Sequence, residues 1–207
     1  METSDHKIRM LIIGPPGAGK GTQASRVAAL LGIMHVSTGE MFRALDVESP
    51  VGKRVRERID KGLYVSDELV IEMIEERVSR PDAKNGYILD GFPRTLGQVH
   101  ALDKYLGEDN LDRVVLLSVA HDELVRRLLA RGRKDDVSHT IELRMHLYVE
   151  QTEPLISVYR ERGIVLEVDA EGPIEEVTLR ILNGLGVEYT DEELESLANT
   201  EFDSQIA

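Results

Sequence analysis

The chain has 207 residues, of which 42% are hydrophobic and 30% charged, a composition typical of a soluble globular protein with one substantial core. Its formal net charge of −13 disfavours nucleic acid and anionic membranes as partners. Cysteine is absent, which excludes disulfides and removes the thiolates that a structural zinc site would need. No apolar run is long enough to span a bilayer and the polar N-terminus lacks a signal-peptide core, so we expect a cytoplasmic protein.

Strand and helix patterns alternate along the chain, which predicts an α/β fold with a doubly wound parallel sheet of five strands. Strands are expected at residues 9–13, 34–36, 87–90, 113–119 and 164–168. Helices are expected between them at residues 19–31, 96–105, 122–130, 140–161 and 174–182. Residues 114–119 are almost all apolar, as expected of a strand that is covered on both faces.

The first strand leads directly into a glycine-rich segment, residues 14–22, that matches the pattern G-x-x-x-x-G-K. Glycines allow backbone N–H groups to converge on phosphate oxygens, and the following helix N-terminus adds partial positive charge. Lys20 supplies a mobile full charge for the outer phosphates. The segment therefore predicts a nucleoside triphosphate site. In the usual pattern Ser or Thr follows the lysine and binds Mg²⁺, whereas here Gly21 intervenes and the hydroxyl comes at Thr22.

A long crossover separates the second strand from the third, and it contains three helical segments. Val51, Val55 and Ile59 recur every four residues, and a second apolar stripe begins at Leu69. We expect one domain, residues 1–207, with a small helical insertion at residues 37–65. The other parts are a core at residues 1–36, 66–130 and 137–187, a short lid at residues 131–136, and an acidic tail at residues 188–207.

Four segments, in the same order, resemble the nucleoside monophosphate kinases, and the adenylate kinases most closely. They are the glycine-rich loop with its displaced hydroxyl, residues 35–43, residues 87–95 with Gln98, and residues 127–136 with Arg144. The resemblance extends from about residue 8 to residue 177. It implies a P-loop kinase that transfers a phosphoryl group from Mg·ATP to AMP. The chain departs from the family in its lid, where only Gly132 separates Arg131 from Arg133.

By this resemblance, one set of residues binds the donor nucleotide. Arg127 would stack on the donor adenine and Arg131 would contact the donor phosphates. Asp90 ends a strand at the edge where ligands of open α/β sheets bind, and it would orient Mg²⁺ through water, with Thr22 as a second candidate ligand. The other ATP-binding residues are Gly17, Ala18, Gly19, Lys20, Gly21 and Gly172. No zinc is expected.

A second set would bind AMP. Arg94 would hold the acceptor phosphate, Thr38 would lie near the adenine, and the Gln98 amide would hydrogen-bond it, since an amide donates and accepts at one edge. The other AMP-binding residues are Arg43, Leu63, Tyr64, Val65, Gly91, Phe92, Pro93, Arg133 and Arg144. Asp135 and Asp136 would orient the lid arginines. The catalytic set comprises Lys20, Arg43, Asp90, Arg94, Arg131, Arg133 and Arg144.

Two alternatives stay open at this point. A UMP/CMP kinase would share the fold, although such pyrimidine nucleotide kinases typically have Asn where Thr95 stands and Ala where Thr38 stands. A nucleotide-binding sensor would keep the pockets without transferring phosphate, although binding alone would not require cations from five segments. The resemblance also implies a monomer.

Overall fold

The computed structural model describes residues 7–107, 111–133, 136–190 and 192–194. The prediction made for Asp135 lies outside these residues, as does most of the predicted acidic tail. At the start of that tail Thr190 N–H donates to Glu193 Oε2 at 2.7 Å and Glu193 N–H donates to Thr190 Oγ1 at 3.3 Å, which together form a capping box.

The strands form one parallel sheet in the order β2-β3-β1-β4-β5. They are β1 (Ile8–Ile13), β2 (Met34–Ser37), β3 (Gly86–Asp90), β4 (Arg113–Ser118) and β5 (Val165–Asp169). The predicted five-stranded, doubly wound parallel sheet is therefore confirmed, and each strand begins and ends within one residue of its expected bounds.

Helices cover both faces of the sheet. In the described part of the chain they are α1 (Lys20–Leu31), α2 (Thr38–Ala44), α3 (Pro50–Asp60), α4 (Asp67–Val78), α5 (Leu96–Leu106), α6 (His121–Arg131), α7 (Ser138–Leu147), α8 (Glu153–Glu161) and α9 (Ile174–Leu185). The long crossover contains α2, α3 and α4, as its apolar stripes predict. None of the helices in these residues has both the length and the apolar character that a membrane span requires.

Strand β1 shows why the sheet needs cover on both sides. Its side chains alternate, so that Leu11 and Ile13 belong to one buried cluster and Met10 and Ile12 to the other. Helices α4, α5 and α8 complete the first cluster, whereas α1, α6 and α9 complete the second. Both faces of the central strand are therefore removed from water, and its ends are left to carry polar residues.

The helix expected at residues 140–161 is interrupted, which corrects that prediction. Between α7 and α8 the chain forms a π-helical turn at Tyr148–Thr152. Pro154 follows at the start of α8, where its missing N–H removes a hydrogen bond that a continuous helix would need. The wider turn places Tyr148 and Thr152 in the wall of the main cavity described next, and π turns often occur at such sites.

Candidate active site

A cavity of about 680 Å³ opens at the carboxyl ends of the strands. Gly14 follows β1, Ser37 ends β2, Asp90 ends β3 and Ala170 follows β5, and all of them line this cavity. In open parallel sheets the carboxyl edge is where ligands bind, because loops from neighbouring strands meet there. The volume lies within the usual range for a small-molecule site.

The glycine-rich loop forms one end of the cavity and leads into α1. Gly17 and Gly19 have φ values of 89° and 85°, in the left-handed region that glycine adopts without strain. A Cβ atom at Gly17 would also lie 2.8 Å from Leu124 O, too close for any side chain. The loop therefore keeps a bare backbone, followed by the free N–H groups at the start of α1.

Lys20, the first residue of α1, bends back over this loop. Its Nζ donates to Gly14 O at 2.8 Å and to Pro15 O at 2.9 Å. Burial lowers the pKa of Lys20 to about 8, with Asp90 partly opposing the shift and nearby arginines adding to it. An anion in the cavity would relieve this unfavourable charge.

Basic side chains from several elements converge on the same cavity. Lys20 comes from α1, Arg43 from α2, Arg94 from the loop after β3, and Arg144 from α7. The full set in the wall contains every cation that the sequence assigns to the two nucleotides: Lys20, Arg43, Arg94, Arg127, Arg131, Arg133 and Arg144. An overall acidic chain thus concentrates positive charge at one place.

Asp90 provides a carboxylate beside these cations. It is 9% exposed, and Ser37 Oγ donates to its Oδ2 at 3.3 Å. Burial alone would raise the pKa of Asp90, but His35, Lys20 and Arg94 together hold it below its usual value. The carboxylate of Asp90 is therefore ionised at neutral pH.

The surroundings of Asp90 fit a magnesium ion that is bound with a nucleotide. A Cβ at Gly21 would lie 3.4 Å from Asp90 Oδ2, so α1 begins directly beside the carboxylate, and Thr22 also lines the cavity. Mg²⁺ is commonly held by one or two protein oxygens together with water and substrate phosphates. Among the described residues no group of three or more His, Asp or Glu side chains is placed to hold a metal.

His35 lies beside Asp90, and the sequence analysis gave it no role although it begins the matching segment 35–43. Its Nδ1 lies 2.9 Å from Ser25 Oγ, which in turn donates to Gly21 O. Its Nε2 lies 3.7 Å from Asp90 Oδ2 and is buried without a hydrogen bond to any described residue. His35 thus connects the start of α1 to the carboxylate at the end of β3.

Arg94 also lines the cavity, in a loop with a cis peptide bond between Phe92 and Pro93. Its Nε donates to Gly91 O at 2.7 Å, and its guanidinium lies 5.1 Å from the centre of the Tyr64 ring. The side chain is therefore held from two sides before any ligand is considered.

Thr38 lies beneath the wall of the cavity. It is 2% exposed, its hydroxyl donates to Asp90 O at 3.3 Å, and a Cβ at Gly91 would be only 2.4 Å from Thr38 Oγ1. Gly91 itself lines the cavity with a φ of 80°. Thr38 thus supports the wall through Gly91, and its contact with adenine stays a prediction.

Gln98 lines the cavity but its amide is already engaged within the protein. Arg94 N–H donates to Gln98 Oε1 at 2.7 Å, and Gln98 Nε2 donates to Asp67 Oδ1 at 2.7 Å. Thr95, the N-cap of α5, accepts from Gln98 N–H and donates to Asp67 Oδ2 at 2.7 Å. Asp67 is a second residue that the sequence analysis missed.

Asp136 is hydrogen-bonded to Arg131, Arg133 and Arg144. Its side chain has no exposed surface, and it accepts two hydrogen bonds from Arg131 at 2.8 and 2.6 Å. Arg144 Nη1 lies at 3.2 Å, and Arg133 N–H donates at 3.1 Å. Burial would raise the pKa of Asp136, but Arg131 and Arg144 keep it low. The contacts agree with the expected orienting role, which stays a prediction.

Comparison with known proteins identifies the family of this chain. The sequence model of the family described as adenylate kinase matches residues 12–164. The chain belongs to the adenylate kinase family. An adenylate kinase from Leifsonia xyli subsp. xyli is 49% identical over 183 residues, which is 85% of this chain and 92% of that protein. Those from Nocardia farcinica and Micrococcus luteus are 46% and 49% identical, over 86% of this chain and 99% and 90% of theirs.

The adenylate kinase match includes all of the predicted site residues except Gly172, which lies beyond residue 164. Gly172 lines the cavity near Arg127, with a φ of 101°. Arg127 donates to Glu123 Oε1 at 2.6 Å and to Ala170 O at 3.0 Å. Hydrogen bonds from Arg126 and Arg127 lower the pKa of Glu123 to about 2, so this carboxylate stays ionised and orients both guanidinium groups.

Proposed function

We propose that this chain catalyses the reversible transfer of the terminal phosphoryl group from Mg·ATP to AMP, giving two molecules of ADP. One observation carries the proposal: seven basic side chains from several elements line a single cavity, and the glycine-rich loop and Gln98 line it too. Two nucleotide anions repel each other at contact distance, and several fixed positive charges are needed to hold them together. Membership of the adenylate kinase family supports the same reaction.

On the donor side, the backbone of residues 14–22 and Lys20 would hold the β- and γ-phosphates of ATP. Arg127 would pack against the donor base, fixed by Glu123, while Gly172 leaves room beside it. Asp90, through water, and Thr22 would hold the Mg²⁺. That ion would neutralise charge on the phosphate oxygens when it is bound.

On the acceptor side, Arg94 would bind the phosphate of AMP while Gln98 reads its base. Leu63, Tyr64, Val65 and Phe92 line the cavity between these two residues and supply apolar surface for a purine ring. Arg43 lies on α2 and would add a second charge on the AMP phosphate. These assignments, and the division of the chain into core, insertion and lid, form part of the proposal.

Transfer itself needs the two phosphates in line and water excluded, since no covalent intermediate on the protein is required. Arg131 and Arg144 share the carboxylate of Asp136 and would act together on the transferring group. With Arg133 they would also cover the phosphates, which protects ATP from hydrolysis. The short connection between Arg131 and Arg133 implies that closure moves a loop and a helix end.

We further propose that the enzyme works as a monomer in the cytoplasm and without zinc. The absence of cysteine removes the ligands that a structural zinc site in the lid would use. Size-exclusion chromatography with light scattering tests whether the protein is a monomer. Elemental analysis of the purified protein tests the absence of zinc, and stoichiometric zinc would contradict the proposal.

A coupled assay with Mg·ATP and each of AMP, UMP, CMP and GMP as acceptor tests the proposed function. We expect AMP to be used far better than the others, and Lys20→Met, purified in parallel, to exclude a contaminating kinase. Comparable kcat/KM for AMP and UMP would favour the pyrimidine nucleotide kinase alternative. Nucleotide binding without turnover of any acceptor would favour the sensor.

A further inference from the structure

We infer that Asp67 is a positioning residue that determines which base the acceptor site takes. Asp67 stands behind Gln98, outside the wall of the cavity, and holds the Gln98 amide in one of its two orientations. This inference rests on the proposed function, because it concerns the choice of nucleoside monophosphate by that same site.

Both the nitrogen and the oxygen of the Gln98 amide already form a hydrogen bond within the protein. Gln98 is 2% exposed, its Nε2 donates to Asp67 Oδ1 at 2.7 Å, and its Oε1 accepts from Arg94 N–H at 2.7 Å. The second carboxylate oxygen of Asp67 accepts from Thr95 Oγ1 at 2.7 Å. Asp67 is thereby held in place by the cap of the helix that carries Gln98.

The chemical roles of these partners determine the orientation of the amide. An ionised carboxylate only accepts hydrogen bonds and a backbone N–H only donates them, so both partners select the same placement of nitrogen and oxygen. A reversed amide would set its oxygen against Asp67 and its NH₂ against Arg94 N–H. After these two bonds, one N–H and one oxygen lone pair of Gln98 are left for a ligand.

Gly97 supports the close approach of Asp67. A Cβ atom at Gly97 would lie 2.9 Å from Asp67 Oδ2, which is shorter than real contacts of this kind. Any other residue between Leu96 and Gln98 would push the carboxylate away from the amide. Asp67 is also the first residue of α4, where the helix N-terminus favours a negative charge.

A fixed amide distinguishes two purines that have the same shape. Adenine presents an amino donor and a ring-nitrogen acceptor at its Watson–Crick edge, whereas hypoxanthine presents a carbonyl acceptor and an N–H donor in their place. An amide in one orientation pairs with the first, and the reversed amide pairs with the second. Asp67 and Arg94 N–H therefore favour AMP over inosine monophosphate through the same bonds.

The experiment compares AMP with inosine monophosphate as acceptors for wild type, Asp67→Ala and Asp67→Asn. For Asp67→Ala we expect kcat/KM for AMP to fall roughly ten-fold or more, mainly through KM, as for a lost hydrogen bond to a charged group. The preference for AMP over inosine monophosphate should fall by a similar factor, with KM for ATP unchanged. Asp67→Asn should change both quantities less, because the Asn oxygen can still accept from Gln98.

Glu68→Gln is the matched control, since Glu68 is an exposed acid in the same first turn of α4. We expect Glu68→Gln to keep the wild-type preference for AMP over inosine monophosphate. This variant also measures any effect of losing a negative charge at the helix N-terminus. If Asp67→Ala does not fold, Asp67→Asn should still lower the preference for AMP measurably, because an Asn amide can reverse together with the Gln98 amide, and an unchanged preference would then overturn the inference.

Equal losses for both acceptors would show that Asp67 supports only the general structure, and an unchanged preference in both variants would overturn the inference. Wild type that transfers phosphate to neither acceptor would contradict the proposed function instead.

Discussion

The hydroxyl of Tyr64 lies 3.0 Å from the hydroxyl of Thr152, and this contact joins the helical insertion to the π turn. Thr152 Oγ1 donates its single hydrogen to Arg94 O at 3.1 Å, so Tyr64 is the donor in the contact between the two hydroxyls. The ring of Tyr64 also faces the Arg94 guanidinium. The backbone and the side chain of Arg94 are thus both tied to Tyr64.

Tyr64→Phe should weaken binding of AMP while it leaves ATP binding unchanged. The substitution keeps the ring under Arg94 but removes one hydrogen bond, and we expect KM for AMP to rise roughly two- to ten-fold. Steady-state kinetics with each nucleotide varied in turn measures this. Tyr105→Phe, which alters an exposed tyrosine on α5, is the control. An unchanged KM for AMP would mean that the hydroxyl link does not position Arg94.

Lys20→Met and Arg94→Ala should each lower turnover by around a hundred-fold or more, because each removes a fixed charge beside the transferring group. Lys53→Met and Arg80→Ala are matched controls, since both side chains are more than half exposed and pair with nearby glutamates. Circular dichroism establishes that the variants fold. Near-wild-type turnover in either site variant would contradict its assigned role.

The stability of the nucleotide-free protein should depend on pH through Lys20. Its pKa is about 8 when folded and 10.5 when unperturbed, so between these values the unfolded chain binds more protons. The contribution of Lys20 to the free energy of unfolding therefore rises with pH over this window. We expect the difference between wild type and Lys20→Met to move in favour of wild type from pH 8 to pH 10.5. Denaturant titrations measure this difference, and a difference that does not change with pH would count against a buried charge at Lys20.

Asp136→Asn should reduce both stability and turnover. At neutral pH we expect a loss of roughly 1.5–3 kcal/mol, since several hydrogen bonds from charged groups end on this carboxylate. Although burial opposes it, Arg131 and Arg144 hold the pKa of Asp136 below its usual value of 3.8, so its contribution to stability is present above that pH and is lost as pH falls through the lower, folded value. The difference from wild type should therefore shrink in acid. Asp82→Asn, at a half-exposed ion pair, should cost much less.

Tyr159→Phe should be neutral or stabilising. The Tyr159 side chain is fully buried, and its hydroxyl has no hydrogen-bond partner among the described residues. Removing it relieves a desolvation cost, and we expect the free energy of unfolding to stay the same or rise by up to about 1 kcal/mol. Thermal and urea unfolding measure this change. A clear loss of stability would show that the hydroxyl is satisfied in solution, for instance by a buried water.

Local patterns predicted the strands and the phosphate loop well, because both depend on neighbouring residues. The apolar run of β4 and the glycines before Lys20 can be recognised from the sequence alone. The π turn at Tyr148–Thr152 was not predicted, although Pro154 just after it is a sequence signal for a break in a continuous helix.

Asp67 and His35 show a second limit of sequence reasoning. Asp67 meets Thr95 and Gln98 across 28 and 31 residues of chain, and no spacing rule connects them. His35 approaches Asp90 only because β2 and β3 pair in register. The cations that line the cavity, and Asp136 which binds two of them, were predictable because the family pattern names them. Asp67 and His35 follow from tertiary packing alone.

The parallel arrangement of the strands also has a practical use. Because every strand points the same way, the turns at the amino edge lie a full strand length away from the cavity. Lys84, just before β3, is exposed at that edge, and the chain contains no cysteine. A single Lys84→Cys substitution would therefore give one unique attachment point for a fluorophore or a surface. The protein could then be held for single-molecule measurements at a position that lies away from the cavity.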